Sequence, residues 1–396
     1  MKRYFTLTII SLIVLTIFTA CSGKKDSSGS SVEKTSGVAS SPSSSGNSPK
    51  HGVKANGPIG SWKSSGKGFD TKVIAFGDGT FVAGGSDGLG FSTDGINWTN
   101  IPSRETISSM AYGNGTFVTN RGTAGVTYST DKGKNWKVEF GKLKGGQVIS
   151  SGYALPDGNV VSVETAEGIF NVTSVVFGNG IFVAAGGSEG KVAHSTDGIN
   201  WTLVSLIDIS YPYLVYGNGT FIATGEKFIK ENDKDFFAKK FFQSTDGVNW
   251  KDVGEHPLYR MSIDTIAFGG GTFIAAGYDS HWNEKYETVY ERKIIYSTDG
   301  LNWTGVDTDI DIRNITYGNG TFIATCETNY YDEKKDEKIY FTKIIYSTDN
   351  GRSWQTAMDL DPDLSIQAFA YGNGAFVAAT WKENDDNCGW LYSTGH

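Results

Sequence analysis

The sequence predicts an all-β fold, a seven-bladed β-propeller, and three observations carry that prediction. An aromatic-Gly-x-Gly turn followed by an apolar run occurs seven times. A Ser-x-Asp turn closed by Trp occurs six times. The chain then stops in Leu391-Tyr392-Ser393-Thr394, the start of a further Ser turn, whereas Gly60-Ser61-Trp62-Lys63 is a Trp strand with no Ser turn before it. Recurrence at a short period marks a repeat architecture, in which each unit buries its faces only against its neighbours.

Residues 1–20 read as a signal peptide. Lys2 and Arg3 precede an apolar run from Tyr4 to Phe18. That run is shorter than the roughly 20 residues a spanning helix needs. It ends in Phe18-Thr19-Ala20-Cys21, which resembles the lipobox of bacterial lipoproteins, with Phe18 where Leu is usual. The resemblance implies acylation of Cys21, a lipid bilayer as partner, and an extracytoplasmic place in the cell envelope. Residues 21–56 are rich in Ser and Gly and nearly free of apolar side chains. Such a segment cannot offset its chain entropy by burial, so it is expected to be a flexible tether.

Residues 57–396 are expected to form the propeller. The first half of each unit reads FGDGTFVAGG from Phe76, YGNGTFVTN from Tyr112 and FGNGIFVAAG from Phe177. It returns from Tyr216, Phe268, Tyr317 and Tyr371. Asn-Gly and Asp-Gly supply the two positive φ angles of a tight hairpin turn, and the Val, Ile, Phe and Tyr flanks suit strands. The second half runs from Ser92-Thr93-Asp94 to Trp98. It recurs as Asp131 with Trp136, Asp197 with Trp201, Asp246 with Trp250, Asp299 with Trp303 and Asp349 with Trp354. These strings resemble the Asp-box, or BNR repeat, of sialidase-like propeller proteins, S-x-D-x-G-x-x-W. The second and sixth copies match it in full and the others are one residue shorter. A short carboxylate in such a turn accepts backbone N–H groups. The Trp opens the last strand of the unit and packs its ring into the seam beside the hairpin. Six equivalent Asp residues cannot share one active centre, so their role is read as structural.

Four strands per unit make one propeller blade. The incomplete seventh unit and the Trp62 strand are expected to complete one blade between them, which closes the ring and leaves no open sheet edge at the junction. Two stretches depart from the pattern. The 26 or so residues after Trp136 are too few for a blade and read as an inserted hairpin turning at Asp157-Gly158. Phe228–Phe242 has an amphipathic-helix alternative.

Function is sought on the variable connections, because binding residues concentrate on loops held by a rigid scaffold. Blades one to three have short ones. Blades four to seven have long ones, with His281, Trp282, Tyr286, Tyr290, Tyr330, Tyr331, Tyr340, Trp381 and Trp390 set among charges. Rigid aromatics in that setting suit recognition of a protein, peptide or glycan, and Trp282, Tyr331 and Trp381 are the first to truncate. The other reading is a glycoside hydrolase, sialidase-like or with paired carboxylates such as Glu284 and Glu327. A sialidase would need an arginine cluster, and Arg104, Arg121, Arg260, Arg292 and Arg313 do not compose one by blade order. The Arg-Ile-Pro signature is absent, and Tyr259-Arg260-Met261 is a faint echo of it.

A net charge of −8 argues against nucleic acid, which needs a basic surface. No Cys/His cluster is present, so neither a metal nor a cofactor is expected. Asp307, Asp309 and Asp311 have cation-ligand spacing but lack the turning Gly. Cys326 and Cys388 fall in the variable segments of adjacent blades and are candidates for a disulfide.

Overall fold

The computed structural model describes residues 59–394 apart from 104, 122–124, 140–147, 155–159, 166–170, 232–233, 254–260, 283–287, 333–335 and 383–386. Among the described residues, seven four-stranded antiparallel sheets and one two-stranded sheet account for all the strands, and no helix is present. Blade one is typical: Val73–Gly77, Thr80–Gly84, Gly88–Ser92 and Thr99–Pro102, paired in that order. The first strands of successive blades touch one another all the way round, blade seven against blade one included. They are therefore the innermost strands of a closed ring.

The closure is made as the two chain ends suggest. Ser61–Lys67 is the outermost strand of blade seven, beside Asn387–Thr394, with Trp62 opposite Ser393 and Lys63 opposite Tyr392. Trp62 packs on Phe369, ring centroids 6.3 Å apart. The Ser393 hydroxyl accepts the Phe376 N–H at 2.8 Å, so the last Ser turn is in use although its Trp comes from the other end of the chain.

The core is divided into seven apolar clusters, one in each seam between blades. The second strand of each blade explains the division. Successive side chains point to opposite faces, so Phe81 enters the seam with blade seven and Val82 the seam with blade two. A strand buried on both faces must be apolar without alternation. That is why this run reads Thr-Phe-Val-Ala in blade one and nearly so elsewhere.

The Gly-turns have positive φ at both central residues, 46° at Asn114 and 78° at Gly115, for example. The first Gly of each turn has a different task. A Cβ on Gly113 would lie 2.2 Å from the Phe177 ring, and one on Gly178 2.3 Å from Tyr216. The same contact runs round the ring to Gly372, which receives Phe76. Each turn aromatic thus lies over the glycine of the blade before it, and packs on a Phe of its own second strand at 4.6 to 4.8 Å.

Two expectations are revised. Phe228–Phe242 forms strands: Thr220–Glu231 pairs with Lys234–Ser244 along its length, so the helical alternative falls. The long variable segments are largely strand as well. Blade five extends its middle hairpin as Thr272–Trp282 with Thr288–Ser297, and blade six as Thr321–Asp332 with Glu337–Ser347. The insert after Trp136 does form a hairpin, Val148–Ala154 with Val160–Thr165. Its turn at Asp157-Gly158, together with the signal peptide, Cys21 and the tether up to residue 56, lies outside the described residues.

Candidate functional site

The Gly-turns and Ser-x-Asp turns share one face, and there the carboxylates are consumed locally. Asp94 Oδ1 accepts the N–H groups of Ile96 and Asn97 at 2.8 Å and the Ser92 hydroxyl at 2.9 Å. Asp94 Oδ2 accepts Asn97 Nδ2 at 2.7 Å. The Trp98 indole donates to the Gly95 carbonyl at 3.2 Å. Asp197, Asp246 and Asp299 repeat the set. Asp131 and Asp349 make a looser version over one more residue. Burial works to raise the Asp94 pKa, but the bonds from Asn97, Ile96 and Ser92 together outweigh it and hold the group at about 2. Asp197 and Asp349 are held at about 2 by the same balance. A carboxylate with every oxygen engaged is a turn lock, not an acid or base in waiting.

The tryptophans of these turns need two corrections. They do not open the outer strands: Trp98, Trp136, Trp201, Trp250, Trp303 and Trp354 each stand one residue before the fourth strand of their blade. They are also not buried alike. Trp201 is 5% exposed in its seam, whereas Trp250, Trp303 and Trp354 lie half-buried along the rims of theirs. Five of the six indoles are tied to the Gly carbonyl of their own turn, whatever their burial. Trp201, Trp250 and Trp303 donate to the carbonyls of Gly198, Gly247 and Gly300 at 3.0 to 3.1 Å, and Trp136 to Gly133 at 2.8 Å. Trp354 breaks the series, because its buried indole N–H has no partner among the described residues. The matching carbonyl, that of Gly351, accepts the Tyr296 hydroxyl of the preceding blade at 2.8 Å instead.

The opposite face is built differently. The inner strands of blades three to seven each carry a β-bulge near their start, all at the same level. The ladder skips Thr173, Pro212, Asp264, Arg313 and Gln367, which turns these residues out of the regular alternation. Bulges of this kind re-aim side chains beside binding sites. They ring the channel mouth on the face that also bears the extended hairpins.

Between blades five and six the mouth is charged. Asp311, 5% exposed, is the organising group. Its carboxylate lies 2.5 Å from Arg292 Nη1 and 3.1 and 3.2 Å from Arg313 Nε and Nη2. Arg313 Nη1 reaches Asp264 Oδ2 at 3.0 Å, and Nη2 lies 3.7 Å from Glu327. Burial pushes the Asp264 pKa up against the pull of Arg313. Desolvation opposes the charge of Arg313, but Asp311, Asp264 and Glu327 raise its pKa. Asp311 thus fixes two guanidinium groups, and Asp264 and Glu327 stand at the edge of the network.

Blade four supplies aromatics. Tyr211 and Tyr213 flank the bulged Pro212 and are 44% and 53% exposed. Tyr211 has φ 48°, rare for a bulky side chain. Its N–H bonds to Gly187 O at 2.9 Å and the Ser210 hydroxyl to Ser188 O, which clamp this segment to blade three. Tyr213 is half exposed, yet desolvation raises its phenol pKa.

The expected ligand-face residues separate. Tyr290 is 62% exposed and meets Tyr278 edge-on at 5.3 Å. His281 and Trp282 end the second strand of blade five, paired with Val289 and Thr288. Tyr330 and Tyr331 lie opposite Ile339 and Lys338 in blade six. Trp381, half-buried, lies opposite Cys388, and Tyr286 is outside the described residues. Trp390 is a correction. It is 1% exposed, opposite Ala379, and stacked on Trp98 at 3.9 Å and 8° in the seam between blades seven and one. Its strand begins at Asn387, so it is core, not loop.

Cys326 and Cys388 are not joined in a disulfide; each holds a place in the ladder of its own blade. Asp311 is buried under two arginines while the Asp307 side chain is 87% exposed beside Lys293. The three aspartates do not converge, and among the described residues no group of three metal-ligating side chains does. Arg121 pairs with Glu105 at 2.8 Å in blade two. Arg104, Arg260 and Glu284 lie outside the described residues. The sequence reading missed Asp264, Tyr211, Tyr213 and the linkage of Asp311 to the arginines. Aligning the inner strands backwards from each Gly-turn would have placed Pro212, Asp264 and Arg313 at one level, with Tyr213 next to it.

The fold is similar to that of YCF48 bound to D1 peptide, at 13% identity over 85% of this chain and 97% of that one, with a TM-score of 0.51. YCF48 from Cyanidioschyzon merolae is 12% identical over 84% of this chain and 98% of its own, with a TM-score of 0.49. A GH74 xyloglucanase from Xanthomonas campestris is 11% identical over 83% of this chain and 55% of its own, with a TM-score of 0.47. Identities this low speak to the fold alone. No curated protein matches the sequence. Residues 67–264, half of the chain, match the family described as the DUF6242 beta propeller domain, and the chain belongs to that family.

Proposed function

We propose that this propeller is a recognition or assembly module for a protein or peptide, tethered to a membrane on its extracytoplasmic side through acylated Cys21. The observation that carries the reading is the contrast between faces. One is locked by satisfied turns, while the other presents bulged polar residues and exposed tyrosines round a channel mouth. The similar YCF48 structure, which holds a D1 peptide, supports peptide binding as a capacity of this architecture. On this reading the Ser-x-Asp turns are Asp-boxes of the sialidase-like kind and serve the fold only.

The test is a library of random extended peptides titrated against the full chain in detergent, beside a panel of glycans and hydrolase substrates. Specific peptide binding, weakened by Trp381→Ala, Trp282→Ala or Tyr331→Ala, is expected. Turnover of a glycan substrate, lost in Asp264→Asn or Glu327→Gln with binding retained, would replace this reading with the hydrolase. The anchor is tested separately: Cys21→Ala should leave the membrane fraction or accumulate as precursor. Unchanged detergent partitioning and processing would remove the lipid anchor from the proposal.

A further inference from the structure

The bulges of blades four to six bring together two kinds of group that a neutral ligand does not need. In blade four, Tyr213 lies directly across the ladder from Thr224, and cross-strand partners project from the same face. Val215 and Ile222, two residues further along each strand, pack in the seam with blade five. Tyr213 and Thr224 therefore stand over that seam. The Thr224 hydroxyl is in a residue only 7% exposed and has no hydrogen-bond partner among the described residues. Its counterpart in blade six, Thr325, accepts the Asn314 N–H at 3.1 Å. A buried hydroxyl with no protein partner, next to an exposed ring, is available to bond a polar atom of a ligand.

In blade five, Asp264 occupies the bulge of the neighbouring inner strand. Its side chain is 19% exposed, and among the described residues only Oδ2 is engaged, by Arg313. The cations nearby are already paired. Arg292 and Arg313 are held by Asp311, and Lys293 sits 3.8 to 3.9 Å from each of Asp279, Glu291 and Asp307. Counting Asp264 and Glu327 as well, this sector carries twice as many carboxylates as cations. Around Arg292 and Arg313 three carboxylates face two cations, so one negative charge is left over at Asp264 and half-exposed Glu327. Asp264 stands on the inner strand next to the one that carries the exposed Tyr213. A cation satisfies both, through the ring face and through the free carboxylate lone pairs.

We propose that the mouth between blades four and six receives a cationic side chain, lysine or arginine, of an extended peptide, with Tyr213 as the aromatic wall and Asp264 and Glu327 as counter-charges. This rests on the peptide-binding reading above and names its ligand class. It also fits the net charge of −8, which attracts basic partners before contact.

The experiment uses acetylated, amidated dodecapeptides that alternate Gly with Lys, Glu or Ser, titrated into the full chain in detergent. The Lys peptide should bind about tenfold or more tighter than the Ser peptide, and the Glu peptide should not bind. Raising salt should weaken the Lys complex. Asp264→Asn and Tyr213→Ala should each lower its affinity about tenfold, with Tyr213→Phe close to wild type because the ring is kept. Melting curves identify any variant that fails to fold. A Lys peptide that binds no better than Ser, or equal binding by a well-folded Asp264→Asn protein, overturns the proposal. If Ser or Glu peptides bind and Lys does not, the ligand class alone is wrong. If none of the three binds and the random library is also empty, the peptide-binding reading falls with it.

Discussion

Lys132 in the Ser-x-Asp turn of blade two reaches back to Asp78 in the Gly-turn of blade one, with 3.0 Å from Nζ to Oδ2. At four other junctions the donor sits on the Gly-turn instead. Asn114, Asn179, Asn218 and Asn373 each donate from Nδ2 to two carbonyls of the next blade, at 2.6 to 3.2 Å. Asp78 cannot donate, so the donor comes from its neighbour. Blade five has Gly270 at this position, and there Asn350 of blade six fills the space, its Oδ1 2.4 Å from where a Cβ would sit. Lys132 and Asn350 are the extra residues of the two longer turns, with φ 65° and 59°. The two length variants thus follow the two turns that lack Asn.

The Asp78–Lys132 pair is about half exposed on both sides, so Lys132→Ala should cost less than ~1 kcal/mol. Asp78→Asn restores a donor of the kind used at the other junctions and should recover most of that loss in the Lys132→Ala background. Thermal melting of the single and double variants checks this. A double variant less stable than either single one would mean that Asn cannot work at this junction.

Asp94, Asp197, Asp246 and Asp299 should behave alike. Each Ala variant loses charge-assisted bonds to its turn and should be destabilised by ~1–3 kcal/mol, with ligand binding affected only through unfolding. A variant that melts like wild type yet loses binding would assign that aspartate a functional role.

Acid should unfold the ring through these same groups. Their folded pKa values are depressed, to about 2 at Asp94, Asp197 and Asp349, against a reference of 3.8. The stability they give is complete above the unfolded value and is lost as pH falls from about 4 towards 2. Tryptophan fluorescence across that window should report a cooperative loss, since Trp98, Trp201 and Trp354 each pack beside one of these titrating turns. A flat signal down to pH 2 would contradict the assignment.

Gly178→Ala places a methyl 2.3 Å from the Tyr216 ring. Overpacking of this kind typically costs ~1–3 kcal/mol, here at one seam between blades. Chemical denaturation of Gly178→Ala against the double variant Gly178→Ala/Tyr216→Ala separates clash from other effects, because removing the ring should return part of the loss.

Removing residues 57–66 takes away the strand opposite Leu391–Thr394 and should destabilise the whole ring, whereas shortening the tether within 22–50 should not. Equal melting temperatures for the two deletions would show that the outer strand of blade seven is dispensable.

The blade count, the turns and the closure were legible because each is a local pattern repeated many times. The ring mouth was not, because it depends on residues from three blades whose common level appears only when the bulges are in register. Asp311 stood out only for its spacing from Asp307 and Asp309, and only burial under Arg292 and Arg313 shows its role. Trp390 misled for a related reason. It follows Asn-Asp-Asp-Asn-Cys-Gly, a loop-like string, but Ala379 opposite leaves room for its indole against Trp98. Trp354 looked like its five counterparts, since nothing in its own turn tells that Tyr296 of another blade takes the carbonyl its indole would use. The long hairpins of blades four to six resembled loops since their charges obscure the strand alternation, although backbone pairing continues nearly to their tips.

The aromatic-over-glycine contact has no first or last member. Phe76 lies over Gly372 just as Tyr371 lies over Gly318, although one junction joins the two ends of the repeat region and the other lies within it. Freeing one blade means parting two such junctions, so local fraying gains little entropy for its cost and the ring should resist opening piecemeal. The contacts at the junction of blades seven and one are then of the same kind as those at every other junction. A chain re-cut between two other blades, with its present ends linked, would meet the same set of contacts.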